Sequence, residues 1–316
     1  MSAGAGAGAA ARPGRAVDER IAEVGRGIDI CWRSWGDAAA EPVLLIAGLG
    51  LQLIAWPDAF VRGLVDAGLR VIAVDNRDSG LSSHATDAPP GRLRQLLWLP
   101  PASAYALEDM ADDMAGLLER LQLRSAHVVG MSMGGMIAQC LAAGHAQRVR
   151  SLCSIFSSTG SRRVGQPAPS TIARLFQPLP GSADQAVAQY LAIMRHIGNA
   201  DEPGAVEEWT DYARRAWLRA GARVDAAGTA RQVAAIQKSG DRSAQLRRIR
   251  APTLVLHGER DLMVHPSGGR ATAELIAGAR LLTLPGLAHQ IVGARAAELV
   301  RHIVDHVRAA SAGHGG

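Results

Sequence analysis

The segment Gly130-Met131-Ser132-Met133-Gly134 lies between a strand-sized apolar run, Ala126–Val129, and a helix-sized segment, Gly134–Ala143. A chain that passes from extended to helical backbone within so few residues must turn tightly. The residue at the apex takes strained backbone angles, and its neighbours must be small. Gly130, Gly134 and Gly135 meet that requirement. The next apolar run, Val149–Phe156, completes a strand–helix–strand unit, which implies a parallel sheet.

The same rhythm covers most of the chain. Arg20–Val24 and Ile28–Trp35 alternate polar and apolar residues, as an antiparallel hairpin does. Pro42–Ile46, Arg70–Val74, Thr253–Leu256 and Arg280–Leu284 are short apolar runs suited to strands, the first three to strands covered on both faces. Helices are predicted over Pro57–Ala67, Leu107–Leu123, Gly268–Ile276 and Ala294–Arg308, and a polar loop over Asp75–Ala104. Between Ser157 and Arg248 no strand run occurs. Helical stretches at Asp184–Ile197, Val206–Ala220 and Gly228–Ser239 fill the interval. The expected division is a core of residues 20–156 and 249–309, a helical cap at 157–248, a disordered Ala/Gly-rich tail at 1–19 and a flexible tail at 310–316.

Composition narrows the class of partner. The net charge is +5, yet only Lys238 among the 34 basic residues is lysine, and no run of like charge appears. Dispersed arginines give no nucleic-acid footprint. No apolar stretch is long enough to span a bilayer, and no secretory leader is visible, so a cytoplasmic protein without membrane insertion is expected. Cys31, Cys140 and Cys153 form no paired framework and read as buried small apolar residues.

A serine at the apex of such a turn is exposed, but its hydroxyl is a weak nucleophile without a base that is itself oriented by an acid. In this architecture the order is serine, acid, histidine. Asp261 follows the strand Thr253–Leu256, and His289 follows Arg280–Leu284, both beyond carboxyl ends of strands where open sheets build their sites. Glu259 is the alternative acid. His257 and His265 precede the last strand and break the order; His127 lies within a strand and reads as packed. His302 and His306 have ligand-like spacing but no third partner, so a solvated helix face is expected and no metal. The oxyanion donors should be the backbone N–H groups of Met133 and of Leu49, in Ala47-Gly48-Leu49-Gly50.

The chain resembles the α/β-hydrolase superfamily, and within it the esterase group that includes aclacinomycin methylesterase. The resemblance spans about Ile21 to Val307. It rests on Gly48–Pro57, Asp75-Asn76-Arg77-Asp78-Ser79-Gly80, Gly130–Met136, Leu256–Asp261 and Gly286-Leu287-Ala288-His289. It implies a mostly parallel twisted sheet with helices on both faces and a helical cap, with Ser132, Asp261 and His289 as a triad. It also assigns Asp75, Arg77 and Asp78 to a structural turn. Many relatives carry histidine where this chain has Ala47. Ser132 separates the chain from dehalogenases and epoxide hydrolases, which use aspartate at that position.

The expected activity is cleavage of a small, neutral, hydrophobic carboxylic ester through an acyl-enzyme, with no cofactor. Carbon–carbon hydrolysis, enol-lactone hydrolysis and a slow receptor on the same residues are the alternatives. The pocket walls are expected from Gly48, Leu49, Leu51, Leu53, Trp56, Met131 and Met133, with Phe176, Tyr190, Met194, Trp209, Tyr212 and Trp217 supplying the cap. Oligomeric state is not legible.

Overall fold

The computed structural model describes residues 18–175, 180–222 and 226–313. The chain opens with a hairpin, β1 (Arg20–Glu23) and β2 (Asp29–Trp35), then runs β3 (Glu41–Ile46), α1 (Asp58–Asp66), β4 (Leu69–Val74), α2 (Arg92–Leu96) and α3 (Leu107–Arg120). It continues through β5 (Ala126–Met131), α4 (Met133–Gly144) and β6 (Val149–Ile155). Among the described residues five helices follow without an intervening strand: α5 (Pro169–Leu175), α6 (Ala183–Ile197), α7 (Ala205–Arg219), α8 (Ala226–Ser239) and α9 (Ser243–Leu246). The last elements are β7 (Thr253–Gly258), α10 (Ser267–Leu275), β8 (Arg280–Leu284) and α11 (Gly293–Ala312).

The strands form one sheet in the order β1-β2-β4-β3-β5-β6-β7-β8. Pairing is antiparallel for β1 with β2 and β2 with β4, and parallel from β4 to β8. Side chains alternate across the pleat, so a continuous apolar run supplies both faces. Leu44, Ile46, Ile72, Val74 and Val128 pack with Met110, Met114, Leu117 and Leu118 of α3 and Ile137 and Leu141 of α4. Val43, Leu45, Val71, Ala73 and Val129 pack on the opposite side with Phe60 and Leu64 of α1 and Leu299, Ile303 and Val307 of α11. Each such Leu or Ile withdrawn from water contributes about 1.5–3 kcal/mol.

The elements differ from the sequence reading in places. Glu19, assigned to the tail, is buried and pairs with Arg219 on α7, Oε1 to Nε at 3.0 Å; residues 1–17 of that tail lie outside the described residues. The last helix continues past Arg308 to Ala312, because Ala310 is buried and Ser311 donates its hydroxyl to Glu41. The tail expected at 310–316 is therefore helical up to that point, and residues 314–316 lie outside the described residues. Helices α2, α5 and α9 were not expected, since each is at most two turns long and too short for a periodic pattern to mark it as a helix. Among the described residues no helix is long and apolar enough to cross a membrane.

Candidate active site

Strand β5 ends at Met131 and helix α4 begins at Met133, which leaves Ser132 alone to make the turn. Its backbone sits at φ 55° and ψ −122°, a conformation an L-residue adopts only when its surroundings over-determine it. They do. The Ser132 N–H donates to Ile155 O, and Ser132 O accepts from the N–H groups of Gly135 and Met136. A Cβ on Gly130 would come within 2.2 Å of Gly134 O, and one on Gly134 within 2.1 Å of Ile46 O. Both glycines are required by close backbone approach.

Ser132 Oγ lies 3.1 Å from His289 Nε2, and His289 Nδ1 lies 2.8 Å from Asp261 Oδ2. Asp261 Oδ1 accepts the N–H groups of Met263 and Val264, each at 2.8 Å. Burial alone would push the Asp261 carboxyl up, but His289 and hydrogen bonds from His257 and His289 outweigh it and hold the group down at about 2. A carboxylate can accept from His289 but not donate to it, so Nδ1 carries the proton and Nε2 presents a lone pair to Ser132. Glu259, the alternative acid, is exposed.

The other histidines are held away from Ser132, although His257 also reaches Asp261. His257 is fully buried, with Nε2 bonded to Val264 O at 2.8 Å and 3.4 Å from Asp261 Oδ2. His265 is exposed and bonded to Ser267. His127 is packed in β5 against Ser151, and burial together with Arg150 lowers it to about 4. His306 corrects the expectation of a solvated face: it is buried, and its Nε2 reaches Leu152 O and Pro252 O. Among the described residues no cluster of three or more His, Cys, Asp or Glu side chains could hold a metal ion.

Two backbone N–H groups on the segments next to Ser132 have no acceptor among the described residues. Met133 occupies the first position of α4, where no intrahelical acceptor exists. In the loop after β3 the N–H groups of Gly50, Leu51, Gln52 and Leu53 donate to Gln232, Gly48 O, the Tyr212 hydroxyl and Asp75, whereas that of Leu49 has no acceptor among the described residues. Gly48 touches Ser132: a Cβ there would lie 3.3 Å from the serine Cβ. The N-terminus of α4 adds partial positive charge at the same place.

The loop is held from outside. Ala47 O accepts from Asn76 Nδ2 at 2.9 Å. Asp75 bonds Leu53 N with one oxygen, and Leu81 N and Arg219 with the other. Asp78 pairs with Arg231 of α8 at 2.6 Å, and Arg77 with Asp113 of α3 at 2.5 Å. Gln232, Arg219 and Arg231 were not singled out from sequence, and Tyr212 was expected only as a cap aromatic; each acts on a loop about 140 or more residues away, and no local spacing announces such a contact.

The loop that carries His289 is fastened to the helical segment. His289 N donates to Ile197 O, and Gln290 Oε1 accepts from Asn199 N at 2.6 Å while its Nε2 donates to Asn199 O. Glu208 of α7 accepts the N–H of Gly293, the first residue of α11, with both carboxylate oxygens.

A cavity of about 670 Å³ opens over Ser132 and His289. Gly48, Leu49, Leu51 and Met131 line the sheet side, and Tyr190, Met194, Trp209, Tyr212 and Trp217 the helical side. Of its charged lining residues, Asp58, Arg62, Asp211 and Arg215 are exposed at the rim, whereas Asp78 is buried against Arg231 and Glu208 is half-buried on the Gly293 N–H. Three expected wall residues are absent. Trp56 is buried beneath the loop and stacks on Phe60, and Leu53 and the Met133 side chain are buried in the core. Phe176 lies outside the described residues.

Comparison with known proteins agrees with this architecture. Residues 41–292 match the family model described as alpha/beta hydrolase fold. The chain is 31% identical to a rhodomycin D methylesterase of Streptomyces sp. (strain C5), covering 87% of this chain and 94% of that one. It is 30% identical to the rhodomycin D methylesterase of Streptomyces peucetius over the same shares. Among solved structures, the enol-lactonase of Burkholderia xenovorans LB400 superimposes with a TM-score of 0.68 at 25% identity, covering 92% of this chain and all of that one. Sheet order, the strand–Ser132–helix turn and the matched length together make this chain a member of the α/β-hydrolase fold family.

Proposed function

We propose that the protein hydrolyses a carboxylic ester of a neutral, hydrophobic substrate through an acyl-enzyme on Ser132. The observation that carries the reading is the continuous hydrogen-bonded line from Asp261 through His289 to the hydroxyl of a strained serine, on segments whose Leu49 and Met133 N–H groups have no acceptor among the described residues. His289 removes the Ser132 proton as Oγ attacks the ester carbonyl. The oxyanion that forms is held by Leu49 and Met133 N–H. His289, now an imidazolium paired with Asp261, protonates the leaving alcohol. Water, deprotonated by His289, then attacks the acyl carbon, and Ser132 recovers its proton as the acid departs. Every step uses side-chain and backbone groups, so the reading requires no cofactor.

Residues 157–248 act as the cap of this site. Their apolar cavity side favours uncharged substrates, since a charge buried there would lack a partner. The named activity of the Streptomyces relatives supports an ester over an amide. The enol-lactonase similarity favours a second reading, in which the leaving alcohol is an enol tethered to the acyl group.

The test combines a serine-directed phosphonate with a panel of activated esters and enol-lactones. The adduct should map to Ser132 by mass spectrometry, and Ser132→Ala should lose roughly 10⁴–10⁶ in kcat. An adduct on another residue, or an active Ser132→Ala protein, rejects the mechanism. A kcat/KM ranking led by enol-lactones selects the second reading.

A further inference from the structure

Helix α2 is amphipathic in the opposite sense to the rest of the protein. Leu93, Leu96 and Leu97 have i, i+3, i+4 spacing and share one helical face, yet they are 68%, 58% and 57% exposed. Leu99, just beyond the helix, is 53% exposed. The polar residue of the same turn points the other way: Gln95 Nε2 donates to Pro90 O, and Gln95 O accepts from Gln237 of α8. The segment is thus tied to α8 through the Gln95 main-chain carbonyl, with its leucines outward. A helix that packed only for stability would have the reverse arrangement.

The segment itself carries only basic charge, with Asp87 just before it and Glu108 just after it. No aspartate or glutamate occurs between Ala88 and Leu107, a stretch that includes Arg92 and Arg94. Arg162 lies over the Trp98 ring at 5.3 Å. Lys238, the chain's only lysine, reaches the carbonyls of Ala102 and Ala104 beside it. Exposed leucines with an adjacent tryptophan, within a segment whose own charges are all basic, match the chemistry of an anionic lipid surface, where apolar side chains enter the headgroup boundary and arginine and lysine meet phosphates. A protein partner or a second copy of this chain would need complementary acidic groups, and this segment supplies none to pair in a self-association.

We propose that Leu93–Leu99 is an interfacial docking surface that seats the protein on anionic lipid, with no segment crossing the bilayer. The site described above does not depend on it. The experiment is co-sedimentation of the full chain with large vesicles of phosphatidylcholine, alone or with about one-third phosphatidylglycerol. The wild type should partition onto the anionic vesicles, and less at high salt. The triple substitution Leu93→Ser, Leu96→Ser, Leu97→Ser should lower the partition coefficient at least about tenfold. It should leave the melting temperature and hydrolysis of a soluble short-chain ester unchanged, because these side chains contact water and not the cavity. Absence of wild-type binding to anionic vesicles overturns the proposal, as does equal binding by the triple variant. A wild-type dimer in analytical ultracentrifugation that the triple variant converts to monomer, without vesicle binding, reassigns the face to self-association.

Discussion

Replacement of Asp261 by asparagine separates the orientation of His289 from its mere presence. The carboxylate occupies a site whose two ends differ. Oδ1 receives two backbone N–H donors, from Met263 and Val264, while Oδ2 faces His289 Nδ1. An asparagine amide can satisfy the backbone donors only with its oxygen, which turns its NH₂ toward His289. The imidazole must then accept at Nδ1 and carry its proton on Nε2, facing Ser132 Oγ, where it can no longer act as a base. The variant should fold, bind substrate with little change in KM and lose about 10⁴ in kcat, equivalent to about 5.5 kcal/mol of transition-state stabilisation. Glu259→Gln, at an exposed position, should cost less than about tenfold. Steady-state kinetics on one activated ester, with folding checked by circular dichroism, decides the matter. An Asp261→Asn enzyme within tenfold of wild type, or the reverse ranking of the two variants, would refute the orientation argument.

Other outcomes follow from the same contacts. Gln290→Ala removes both bonds to Asn199 and loosens the His289 loop, so kcat should fall about 10–100-fold with KM nearly unchanged, and an unaltered kcat would show that the loop holds itself. The depressed Asp261 carboxyl, at about 2 against an ordinary 3.8, contributes stability that is present above pH 4 and lost as pH falls toward 2. The difference in urea-unfolding free energy between wild type and Asp261→Asn should accordingly shrink by about 2 kcal/mol across that window, and a constant difference would contradict the shift. Along a series of unbranched acyl chains, each methylene that enters the cavity should raise kcat/KM up to about fourfold, from about 0.8 kcal/mol of burial, until the cavity is filled; a preference for an ester bearing a carboxylate would overturn the apolar reading.

Much of the molecule was legible locally. Apolar runs such as Pro42–Ile46 and Arg70–Val74 fill both faces of a sheet, and a strand covered on both faces cannot hide its composition. The turn at Ser132 was legible because small residues are needed on each side of it, and Asp261 and His289 because strand ends can be located from the runs that precede them. The sequence order of these three residues follows from the order of the strands.

What lies between distant segments was decided only in three dimensions. Trp56 and Leu49 are seven residues apart on one loop, and no periodicity in a loop says which side chain faces a cavity; the fold buries Trp56 against Phe60 and leaves Leu49 at the cavity. Glu19 looked like tail until Arg219, 200 residues later, became its buried partner. His306 looked solvated until the carbonyls of Leu152 and Pro252 met it. Gln232, Tyr212 and Asp75 brace the loop around Leu49, and Gln290 and Glu208 tie the His289 loop to the helices above it. A side chain's local sequence sets its chemistry, but its partner is set by how packed layers bring remote backbone together, and that information resides in no single stretch of the chain.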